Sequence, residues 1–206
     1  MFKKAFTLAE ILIVMAIIGT VAVATIPNLV DSYQEDKNIA KLRSVYHDLE
    51  VAYAKAVEEY GPYDQWGNNR HKYLTKYLKT TYCGEELGTC FPSTITLIGV
   101  NFNITGYTYE LENGAGLLFS KNSNDLYVAL DGGKGKHQVQ RDVFGFQFDN
   151  DGVAPVGRGL DKDSSGKPSF NDRYGFYATN WAITNGNMDY LKCANKLNWT
   201  NQTSCP

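Results

Sequence analysis

The residue that most demands a chemical explanation is Glu10. Twenty residues without a charge follow it, from Ile11 to Val30. As a helix they span about 30 Å, the hydrocarbon thickness of a bilayer. Lys3 and Lys4 precede the run, and positive charge held on the cytoplasmic side would leave the rest of the chain outside. A carboxylate in hydrocarbon costs about 2.5–3.5 kcal/mol on insertion scales and calls for a positive partner. Its chemistry is ion pairing. A secretory signal peptide cut after Ala22-Val23-Ala24, leaving Thr25 first, would account for the apolar run. So would an ordinary membrane anchor. Neither needs Glu10.

A second candidate is the acidic stretch DKDSSGKPSFND over residues 161–172. Asp161, Asp163, Ser165, Ser169 and Asp172 fall at positions one, three, five, nine and twelve of the template in which a loop winds oxygen ligands around Ca²⁺, with Gly166 at the turn position. Ca²⁺ is therefore the candidate cofactor. Asp172 stands where the longer Glu is usual, and Pro168 replaces an apolar residue. Asp131 and Asp142 repeat the same spacing 30 residues earlier, but Lys134 and Lys136 make that segment a poor metal loop.

The four cysteines allow three pairings. Proximity in sequence favours Cys83–Cys90 and Cys193–Cys205, and their gaps do not match the short paired spacings of zinc sites. His47, His71 and His137 show no spaced partner of a catalytic or metal kind, and the last two fall in expected loops. The run Gly132-Gly133-Lys134-Gly135-Lys136 lacks the phosphate-loop spacing and reads as an exposed turn. No catalytic residue emerges, and the expectation is a protein that is not an enzyme.

The elements that must position these groups follow from periodicity. Ile39, Leu42, Tyr46, Leu49, Tyr53, Ala56 and Tyr60 recur every three or four residues, as on one face of a helix that Gly61-Pro62 ends. A single helix from Phe6 to Tyr60 is expected, with Gly19 and Pro27 as sites of bending or local melting. Tyr73, Leu74, Tyr77 and Leu78 suggest a short helix. Strands are expected over residues 94–98, 107–111, 116–119, 126–130 and 143–148, separated by Gly, Asn and Asp clusters. Strands in succession imply an antiparallel sheet, and the fold class is α+β: a long N-terminal helix packed on a C-terminal antiparallel sheet. In 206 residues, 20 Lys and Arg face 22 Asp and Glu, a formal charge of −2, which argues against a nucleic-acid partner.

Lys3-Lys4-Ala5, then Phe6-Thr7-Leu8-Ala9-Glu10, then an apolar helix carrying Pro27, resembles the N-terminal signature of type IV pilins and of the type II secretion pseudopilins. The match covers about residues 3–30, and Ala5 stands where the family more often has Gly. The resemblance implies a leader of residues 1–5, a transmembrane and filament-core helix over 6–30, an amphipathic continuation over 31–61 and a β-rich head over 62–206. It implies cleavage between Ala5 and Phe6 by a prepilin peptidase, N-methylation of Phe6, and pairing of its amine with Glu10 of a neighbouring copy during filament assembly. The implied partners are other copies of the chain or related pilins and an inner-membrane assembly platform. The implied location is the inner membrane as a single-pass precursor, then an extracellular pilus or a periplasmic pseudopilus. A disulfide near the tail resembles Cys193–Cys205, and some pseudopilins bind calcium in the part of the fold that holds residues 161–172. The rival expectation is a secreted soluble binding protein or hydrolase.

Overall fold

The structure is a computed structural model that describes residues 7–96, 104–134, 137–160, 162–163, 166–170 and 172–206. The described residues divide into two units between residues 37 and 38. The first helix, α1, runs from Leu8 to Tyr60, 53 residues or about 80 Å at 1.5 Å each. It stays helical through both Gly19 and Pro27. It stops where expected: Gly61 takes a left-handed φ of 79°, its N–H donates to the Val57 carbonyl, and Pro62 cannot continue the helix.

Within residues 38–206 the expected stripe is a core face. Ile39, Leu42, Leu49, Tyr53 and Ala56 are buried together with Val45 and Ala52, and Tyr46 and Tyr60 are partly buried. They cover a six-stranded antiparallel sheet made of β1 (Thr80–Gly84), β3 (Gly106–Leu111), β4 (Gly116–Ser120), β5 (Asp125–Ala129), β7 (Val143–Asp149) and β8 (Gly152–Pro155), in that spatial order. Tyr46 stacks on Phe146 at 5.5 Å, and the Tyr53 hydroxyl donates to the Asp149 carbonyl at 2.6 Å. Arg43 donates to the Ile183 carbonyl at the C-terminal end of α3 (Ala178–Asn185).

The sheet is buried on both faces. Leu117, Phe119, Leu126, Val128, Phe144 and Phe146 face the core that contains α1. The alternate residues Leu118, Tyr127, Ala129 and Val143 face a second core with Phe91, Val139, Val156 and Phe176. Two-sided burial explains why the strands read as nearly continuous apolar runs and not as apolar–polar alternation. Each fully buried Leu or Phe stabilises by about 1.5–3 kcal/mol.

Three expectations need correction. The strand expected over 94–98 is not part of this sheet: Ile95–Thr96 (β2) pairs in parallel with His137–Gln138 (β6), and residues 97–103 lie outside the described set. The short helix, α2, spans Arg70–Thr75, with Tyr77 and Leu78 in the turns that follow. β1 and β8, the two edges, were not expected. β1 is polar and irregular at Tyr82–Gly84, and β8 ends on Pro155, which an edge strand tolerates.

Candidate functional site

Glu10 lies in the first turn of α1, beside Thr7, the residue that precedes the helix. The Thr7 N–H and Oγ1–H donate to Glu10 Oε2 at 2.8 and 2.9 Å, and the Glu10 N–H donates back to Thr7 Oγ1 at 3.3 Å. This is a reciprocal capping box, in which a hydroxyl and a carboxylate three residues apart satisfy backbone N–H groups that the first turn leaves without helical partners. The Thr7-Leu8-Ala9-Glu10 spacing carries the signature of this box, which the reading of Glu10 as an ion-pairing group passed over. Among the described residues both bonds to the carboxylate fall on Oε2, and Oε1 lies outside the cap.

Downstream of Glu10 the helix presents side chains that bury well. Leu12, Met15, Ile18, Val23 and Leu29 are exposed in the isolated chain, and the apolar stretch is long enough to cross a membrane. Its hydroxyls are satisfied within the helix: Thr20 donates to the Ile17 carbonyl and Thr25 to the Val21 carbonyl, both at 2.9 Å. Hydroxyls bonded in this way add little desolvation cost when the helix is buried. Gly19 has open space where a Cβ would stand.

Ala5 and Phe6, the expected processing residues, lie outside the described residues, as do Asp161 and Ser165. Of the expected Ca²⁺ ligands, Asp163 is engaged in a tight turn. Its Oδ1 accepts from the Lys167 N–H at 2.9 Å, and its carbonyl accepts from Gly166, whose φ is 79°. Asp172 begins a short 3-10 turn that ends at Gly175. Among the described residues no three His, Cys, Asp or Glu gather as a metal would require.

Both expected disulfides form, Cys83–Cys90 and Cys193–Cys205. The first gives the glycine run a structural reason. A Cβ at Gly133 would stand 2.3 Å from the Thr89 carbonyl oxygen, and one at Gly116 only 2.0 Å from that of Cys90. The backbone of the Cys83–Cys90 loop therefore packs directly on these glycines, and Gly132-Gly133 is no simple exposed turn. Cys205 is held further by its N–H, which donates to Asp189 Oδ2 at 2.8 Å.

His71 and His137 differ from their expected loop positions. His71 sits in α2, buried, with its ring stacked on Tyr107 at 3.7 Å. Burial first, then the neighbouring Lys72, lowers its pKa to about 4, so it is neutral at physiological pH. His137 is buried in β6 with Nδ1 3.2 Å from Asp142 Oδ2. The Asp142 carboxyl, pushed up by burial, also accepts from the Gln138 N–H. Comparison with family models, with curated proteins and with solved structures gave no match.

Proposed function

We propose that the protein is a structural subunit of a type IV pilus or a related filament, assembled from the inner membrane through α1. The carrying observation is a helix whose large apolar side chains from Leu8 to Val30 stand exposed and whose one charge in that stretch is Glu10, at its tip. Such a surface needs lipid or other subunits to cover it. The resemblance of residues 3–30 to the pilin signature supplies the order of events. A peptidase removes Met1–Ala5, and the new amine of Phe6 is methylated. The amine then meets the Glu10 oxygen that lies outside the cap, in a neighbouring copy. Burying either charge alone is unfavourable, whereas the pair is tolerated at one axial register. The pair therefore specifies how copies align more than how tightly they hold. On this reading the β-rich unit is cargo displayed by the filament, and the chain is not an enzyme.

The test is the N-terminus of the mature protein. Mass spectrometry should find N-methylated Phe6 as residue one on a protein that sediments with membranes or sheared filaments. A soluble product beginning at Thr25 would overturn the proposal.

A further inference from the structure

Three concavities adjoin along the segment that follows α1. One of about 260 Å³ is ringed by Tyr63, Arg70, Tyr107, Asn122 and Asn124. A second, about 400 Å³, continues from Tyr63 and Arg70 to Asp64, Asp149 and Asn150. A third, about 370 Å³, continues from Tyr107 to Asn69, Lys72 and Tyr82. Asn68 lines all three, so they form one elongated cleft. Each compartment is near the size of a small-ligand site.

Of the five asparagines named in the cleft, three have uncommitted side chains. Among the described residues the side-chain amides of Asn68, Asn69 and Asn122 make no hydrogen bond. Asn124 and Asn150 use only their oxygens, which accept from Arg70 and from the Asp64 N–H. Arg70 is satisfied by neutral acceptors, Asn124 and the Tyr63 hydroxyl, and forms no ion pair among the described residues.

These facts select a ligand class. The cations Arg70, Lys72 and Lys121 are balanced by Asp64, Asp125 and Asp149, and Lys121 is tied to Glu85. There is no positive surplus to hold a phosphate backbone. An apolar chain would bury the amides unpaired and lose more than it gains. A chain of neutral sugars has the right complement. Each Asn amide offers a donor and an acceptor to neighbouring hydroxyls. Tyr82, 54% exposed and tilted against Tyr109 at 5.1 Å, offers a ring on which a pyranose can lie.

We propose that this cleft binds an uncharged oligosaccharide, with Asn68 hydrogen-bonding at its centre and Tyr82 stacking at one end. The inference does not depend on filament assembly. The full chain in micelles of a sugar-free detergent is titrated calorimetrically with cellohexaose, N-acetylchitohexaose and maltohexaose, with oligogalacturonate and single-stranded oligothymidylate as charged probes. Saturable binding of a neutral hexasaccharide is expected, and Asn68→Ala and Tyr82→Ala should each weaken it about tenfold. Both side chains are exposed, and melting curves are to verify that each variant folds. The proposal is overturned if no neutral probe binds saturably, if both variants bind as the wild type does, or if a charged probe binds more tightly.

Discussion

Glu10 serves two masters in this account, and substitution separates them. One carboxylate oxygen closes the capping box with Thr7, and the other lies outside it. Losing the cap costs about 1 kcal/mol, confined to the first turn. Losing the charge is worse in a filament, because the amine of the neighbouring Phe6 would be buried without a partner, at about 3–5 kcal/mol per contact. That is a hundredfold or more in each association step. Glu10→Gln keeps an oxygen that accepts from Thr7, since Gln also serves in a capping box, but it removes the charge. Thr7→Val does the opposite. The assay compares filament sheared from cells with subunit retained in membranes, by immunoblot of the two fractions. Glu10→Gln should abolish the sheared fraction while leaving subunit in the membrane, and Thr7→Val should reduce it only modestly. Normal filament yield from Glu10→Gln would refute ion pairing. Loss from Thr7→Val alone would show that the cap, and not the charge, is what matters.

Removing the tail disulfide with Cys193→Ala/Cys205→Ala opens a loop of sequence separation 12, worth about 3 kcal/mol. The melting temperature should fall by about 6–12 °C, and an unchanged melting curve would contradict this. His71 titrates near 4 when folded and near its ordinary 6.5 when unfolded. Between those values the unfolded state binds the extra proton, so stability should fall as pH drops from 6.5 toward 4. Urea midpoints at pH 5 and 7 should differ less in His71→Phe than in the wild type, and an equal difference would remove the argument. Gly133→Ala forces a Cβ against the Thr89 carbonyl and should destabilise by about 1–3 kcal/mol in denaturant titration; a neutral effect would mean that the Cys83–Cys90 loop yields easily.

What the sequence made legible was periodic or local. The stripe from Ile39 to Tyr60 and the stop at Gly61-Pro62 follow from helical geometry, and the structure keeps both. The cysteine pairs were readable because each is close in sequence. The second face of the sheet was not recognised, although the unbroken run Leu126–Leu130 carried the hint: a strand with no polar face has no face to give to water. β1 and β8 were missed because edge strands need little apolar content. The burial of His71 and His137 depends on which distant residues cover them, and nothing local records that. The same holds for the asparagine cleft, whose walls come from residues between 63 and 150.

The sequence of α1 places two opposite demands on one continuous helix. Its later turns carry a single apolar stripe because their partner, the sheet, lies on one side. Its first turns are apolar all round, which suits surroundings that are apolar on every side. Such surroundings supply no hydrogen bonds, so any polar group there must be satisfied within the helix or by a chosen mate. Thr20 and Thr25 meet that condition through their own helix. Two groups do not. Pro27 has no N–H to give the Val23 carbonyl, and Glu10 holds one oxygen outside its cap. A helix otherwise indifferent to rotation and sliding against its neighbours would gain a preferred register only from such points. The charged one carries far more energy than the carbonyl, which is why the register should respond to the charge at position 10 and be nearly blind to conservative exchange among Ile11, Leu12 and Val14.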